Sequence, residues 1–174
     1  MSLVAMPTVK EYAVEIRERF LATGPDCVLL LDGEDLRIQR TNFQWAKNVK
    51  APWLKDAKTV LAAFSPNGEY CAVLCEGWLE LYFSKNMEPV SNVDFDRNSK
   101  RKFLCVAVSD DGITAIGTDG GRILLHGKDG VNLVEGELST LRPPIVSCAF
   151  VGSVLYAKTG LGKSLRTVLD VPND

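Results

Sequence analysis

Two stretches of this chain are copies of one another. Residues 60–82, VLAAFSPNGEYCAVLCEGWLELY, lie over residues 104–126, LCVAVSDDGITAIGTDGGRILLH, at a shift of 44 with no gap. Ala63 then falls on Ala107, Ser65 on Ser109, Gly68 on Gly112 and Gly77 on Gly121. Both glycine columns fall at turns, where a residue without Cβ reaches positive φ at no steric cost. Apolar character matches in the runs between them. A third copy, SCAFVGSVLYAKTGLGKSLRTVL, fits with a shorter first turn, and VLLLDGEDLRIQ supplies only the second hairpin of a partial first copy. A chain repeating at this period stacks one supersecondary unit on the next.

From residue 26 onward, short runs rich in Val, Leu, Ile, Cys and Ala alternate with Gly, Asp and Asn punctuation. That texture predicts successive antiparallel hairpins. The start of the chain reads differently. Thr8 and Glu11 form a capping-box pattern behind Pro7, and Val9, Tyr12, Ala13, Ile16 and Phe20 recur at helical spacing before Gly24-Pro25. An amphipathic helix over 8–22 is therefore expected in an N-terminal segment 1–25, ahead of a β domain spanning 26–174.

Composition sets the class. At 174 residues, 46% hydrophobic and 24% charged, the chain is long enough for one domain with a real core. A net charge of -2 argues against a dedicated nucleic-acid binder. No apolar run approaches the ~18 residues of a membrane span, and MSLVAMPTVKEY lacks the pattern of a secretory signal. Membrane insertion is not expected. The five cysteines, Cys27, Cys71, Cys75, Cys105 and Cys148, are odd in number and widely spaced. They make a poor disulfide framework and a poor zinc site, and read as small buried hydrophobes of a cytoplasmic or nuclear protein.

KTGLGKS, residues 158–164, ends like a phosphate-binding loop. The pattern fails on its own terms, because Ala157 stands where the first glycine belongs. A phosphate loop also needs a following helix whose N-terminus faces the phosphate. In the alignment, KTGLGKS occupies the turn that CEGW and TDGG occupy in the copies before it, so Gly160 and Gly162 are expected in a hairpin.

A repeat of this length, with an FSPNG- or VSDDG-type turn followed by a Gly-containing turn, resembles a blade of the WD-repeat β-propellers. AAFSPNGEYCAVLCEGWLELY is similar to strands a, b and c of such a blade, with strand d in MEPVSNVDF and then GVNLVEGEL. The Trp-Asp dipeptide of the family is replaced by Tyr82-Phe83 and Leu125-His126, and with His126 the only histidine the family's Asp–His–Ser–Trp network cannot form. The resemblance implies an all-β partial propeller of three to four four-stranded blades, at about 26–57, 58–99, 102–140 and 144–171. It also implies a non-catalytic scaffold that binds other protein subunits, a hetero-complex first and a homodimer as the alternative.

Candidate contacts follow from that reading. The apolar face of the helix, with Val9, Tyr12, Ile16 and Phe20, either caps the open flank of the propeller or docks on a partner, and Trp45 and Trp53 lie in a less regular stretch where they either pack or serve as contact anchors. Arg97, Lys100, Arg101 and Lys102 form a basic loop that could meet phosphates, which supports a rival reading as an RNA- or ribonucleoprotein-associated subunit. No catalytic constellation, metal site or cofactor site is expected. The aspartates at 110, 111 and 119 fall in turns, and one histidine has neither an evident nucleophile nor an orienting group.

Overall fold

The computed structural model describes residues 18–40, 45–95, 101–130, 132–137 and 142–168. These form four antiparallel sheets whose strands neighbour one another in chain order. The first holds β1 (Arg19–Thr23), β2 (Cys27–Asp32), β3 (Asp35–Arg40) and β4 (Trp45–Lys50), and the second β5 (Val60–Phe64), β6 (Tyr70–Cys75), β7 (Trp78–Phe83) and β8 (Glu88–Asp94). The third holds β9 (Phe103–Val108), β10 (Thr114–Thr118), β11 (Arg122–His126) and β12 (Asn132–Glu137). The fourth has three strands, β13 (Ile145–Val151), β14 (Val154–Thr159) and β15 (Ser164–Val168). The first strand of each sheet packs on the first strand of the next: β1 on β5, β5 on β9, and β9 on β13.

Three apolar seams hold the sheets face to face. Leu29, Leu36 and Ile38 meet Cys71, Val73 and Tyr82 in the first. Ala72, Leu74, Leu79 and Leu81 meet Val108, Ile116 and Leu124 in the second. Ala107, Ala115 and Ile123 meet Ile145, Phe150 and Leu155 in the third. Each buried Leu, Ile or Val stabilises the stack by about 1.5–3 kcal/mol. The continuous apolar run of β6 follows from this arrangement. A sheet with a neighbour on each side buries both faces, and every residue of β6 and of β10 is buried.

The repeated serine has a structural role. Ser65 and Ser109 are both buried at the first hairpin of their sheets. Each side-chain Oγ accepts a backbone N–H across the turn, from Tyr70 and Ile113 respectively, both at 3.0 Å. Gly68 and Gly112 complete these turns at φ +75° and +79°, where an L side chain would be strained.

The N-terminal expectation is corrected. Residues 19–23 are not helical but form β1, with Phe20 opposite Leu30 and Thr23 opposite Val28. Residues 8–17 of the expected helix lie outside the described residues. Pairing decides the outcome: the inner edge of β2 carries backbone groups that need partners, and β1 supplies them. Gly24 closes the β1–β2 hairpin, its N–H donating to Cys27 O at 2.8 Å, instead of capping a helix. The first sheet therefore has four strands and not the single hairpin legible in VLLLDGEDLRIQ. Among the described residues, the helical structure is one 3-10 turn at Pro52–Leu54.

Candidate protein-interaction surface

The fourth sheet differs from the second and third in what covers it. β14 alternates, with Leu155, Ala157 and Thr159 buried toward the third sheet while Tyr156 and Lys158 are exposed. Strand register places the residues of the outer face in rows. Val151, Val154 and Val168 form one, Ala149, Tyr156 and Arg166 the next, and Ser147, Lys158 and Ser164 the last. Tyr156 is 42% exposed, Val168 55% and Val151 65%. Among the described residues, the other large exposed apolar side chains are Val146 and Leu161, also in this sheet or its turn, and Phe20 and Phe83. Val151, Tyr156 and Val168 thus form an exposed apolar strip on a face that also carries Lys158 and Arg166. Lys158 and Arg166 sit diagonally across β14 and β15, where like charges repel.

The first sheet also has a face turned away from its neighbour. Phe20 lies there opposite Leu30 and is 56% exposed. Arg37, opposite Leu30 on the other side, pairs with Glu18 at 2.8 Å and Asp32 at 3.2 Å.

Of the other expected contacts, Val9, Tyr12, Ile16, Arg97 and Lys100 lie outside the described residues. Trp45 begins β4. Trp53, in the 3-10 turn, packs against the first seam, to which Tyr82 belongs. Tyr82 in turn donates to Glu80 Oε2, and Trp78 Nε1 donates to Glu80 Oε1 at 3.1 Å. Trp78, Glu80 and Tyr82 alternate along β7 and so share one face. Burial first, and then the bond to Glu80, push the Tyr82 phenol well above its usual range. This side-chain chain was not anticipated; the i, i+2, i+4 spacing in WLELY was the available signal.

Arg101 and Lys102 precede β9. The Lys102 backbone is tied to the β10–β11 turn, its N–H donating to Asp119 Oδ1 at 3.2 Å while the Asp119 N–H donates to Lys102 O at 3.0 Å. An acidic residue thus stands beside this part of the basic loop. His126 is completely buried, with Nε2 3.2 Å from Ser91 Oγ and the ring edge-on to Phe95. It joins β11 to β8 across the second seam, and its burial bars a substrate from the imidazole.

KTGLGKS is the β14–β15 hairpin. Thr159 Oγ1 accepts the Lys163 N–H at 3.2 Å and donates to Lys163 O at 3.3 Å, while Gly162 turns at φ +81°. Thr118 makes the same pair of bonds to Arg122, both at 3.1 Å, in the β10–β11 turn. Ser164 opens a strand, so no helix N-terminus faces the loop. Among the described residues no three His, Cys, Asp or Glu side chains gather as a metal site. No helix there is long and apolar enough to cross a membrane.

No family model matches the chain, and no curated protein matches it. Many solved structures do. The computationally designed Ika4 protein aligns over 95% of this chain and 99% of its own, at TM-score 0.64 and 10% identity. KlAtg21, in complex with the coiled coil of AgAtg16, aligns over 86% of this chain at TM-score 0.65 and 11% identity. The WD40 domain of SCAP from fission yeast aligns over 92% at 0.61 and 12%. This chain spans 51% of the Atg21 chain and 44% of the SCAP chain, about half of each. The chain has the β-propeller fold, in four antiparallel sheets similar to the blades of WD40 proteins.

Proposed function

We propose that this chain is a non-catalytic protein-interaction subunit of a larger assembly, which completes or extends a propeller by burying the outer face of its fourth sheet against a protein partner. The observation that carries this reading is the contrast between β14 and its counterparts. β6 and β10 are buried at every position, whereas β14 keeps alternate residues in solvent. A sheet-on-sheet seam is how this fold stabilises every other sheet, and the same geometry suits a partner. The partner's surface is apolar where it meets Val151, Val154 and Val168, and acidic where it meets Lys158 and Arg166. The Atg21 complex supports the reading by analogy, since a propeller of this fold is seen there with a coiled coil.

Light scattering on a sizing column, alone and with co-expressed candidate partners, tests this. The expected result is a complex or self-association that dissociates on Tyr156→Asp with Val168→Asp, while the melting temperature of the isolated chain changes little. An association unaffected by both substitutions overturns the assignment of this face.

A further inference from the structure

Two of the five cysteines differ from the rest. Cys27, Cys71 and Cys75 are buried, whereas Cys105 and Cys148 are partly exposed. They come from sheets joined by the third seam. Cys105 lies on β9 opposite Gly117, and Cys148 on β13 opposite Ala157. Each sulfur reaches the backbone of the opposing sheet: Cys105 Sγ donates to Ile145 O at 3.5 Å, and Cys148 Sγ to Ala115 O at 3.7 Å. Both side chains pack against the third seam, and the two thiols lie close enough for each to shift the other's ionisation. Gly117 makes room for them, since a Cβ there would lie 2.5 Å from Cys105 Sγ and 2.7 Å from Ile145 Cγ2.

We propose that Cys105 and Cys148 are a reversible dithiol–disulfide pair which, when oxidised by a low-molecular-weight disulfide, staples the fourth sheet to the third. The neighbouring Cys148 thiol holds the Cys105 thiol below its ordinary range, and the neighbouring Cys105, with burial, pushes Cys148 up. Cys105 is accordingly the attacking thiolate and Cys148 the resolving thiol. In the first step Cys105 attacks one sulfur of oxidised glutathione, forming a mixed disulfide and releasing one glutathione thiolate. In the second, Cys148 loses its proton to solvent and attacks the Cys105 sulfur, releasing the second glutathione. Two protein thiols lose two electrons, and one disulfide oxidant becomes two thiols. The other three cysteines take no part. Burial pushes the Cys71 thiol far up, and Cys27 is raised for the same reason.

The staple would fix the sheet that carries Tyr156 and Val168 to its neighbour. It does not depend on what binds that face. The test is to incubate the full chain with oxidised glutathione, denature it, alkylate the free thiols and map the peptides by mass spectrometry. The expected result is a cross-linked pair of peptides containing Cys105 and Cys148, alkylation of the other three cysteines, and a rise in melting temperature reversed by dithiothreitol. In Cys148→Ser the reaction is expected to stop at glutathione on Cys105. Five alkylated thiols after oxidation, a cross-link through any other cysteine, or wild-type chain that retains glutathione on Cys105 would each overturn the proposal.

Discussion

Gly120 and Gly121 stand side by side in the turn between β10 and β11, and only one of them has room. A Cβ on Gly121 would lie 2.6 Å from the carbonyl carbon of Arg142, at a backbone φ of +74°, whereas one on Gly120 meets nothing within 4 Å. The obstacle at Gly121 is backbone and cannot swing aside. Left-handed geometry costs an L residue about 1–2 kcal/mol, and forced overpacking adds about 1–3 kcal/mol. Gly121→Ala is therefore expected to lower the stability by at least about 2 kcal/mol in urea unfolding, with Gly120→Ala within about 0.5 kcal/mol of wild type. Equal losses at the two positions would refute the account. The repeat alignment picked out Gly121 because positive φ is a demand on residue type that one sequence can display. Gly117 was not legible in the same way, since what it accommodates is a sulfur on its own sheet and an isoleucine brought in by the next.

At the scale of the element, the hairpins after β10 and β14 are built alike although their sequences, TDGGR and TGLGK, look unrelated as chemistry. In each, a buried threonine hydroxyl bridges the N–H and C=O of the residue four positions on. Thr118→Val and Thr159→Val keep the shape and remove the hydroxyl, leaving a backbone N–H without its partner. Each is expected to cost about 1–2 kcal/mol in the same unfolding measurement. A marked asymmetry between the two would mean that one turn is held by something else. Lys163, which gives KTGLGKS its resemblance to a nucleotide site, is used here through its backbone. Placing that stretch by its position in the repeat found the hairpin, where reading it as a motif would have failed. The segment before Gly24 went the other way. Ile16 and Phe20 are four apart, which suits a helix, but Phe20 and Ala22 are two apart, which suits a strand. Local spacing could not choose between them. The choice was made by the unpaired edge of β2, which is visible only once the sheet exists.

For the whole molecule, the period of the repeat made the stacking of sheets legible, but not which sheet face stays in solvent. That depends on neighbours and not on any one copy. The consequence is a gradient of local stability. An amide in β6 or β10 exchanges with solvent only if a sheet packed on both sides opens, which breaks two apolar seams. In β14 and β15 the third seam alone must open, because the outer face of that sheet holds no partner within the described residues. Repeating architectures have roughly nearest-neighbour energetics, so these openings are expected to differ in free energy. Hydrogen exchange followed by mass spectrometry should find the slowest amides in β6 and β10 and much faster exchange in β14 and β15. Protein bound on the Tyr156 face should slow the fourth sheet selectively, and oxidation of the Cys105–Cys148 pair should do so without any partner. Uniform exchange across the four sheets would mean the stack opens only as a unit, and the uncovered face would then cost the fold nothing.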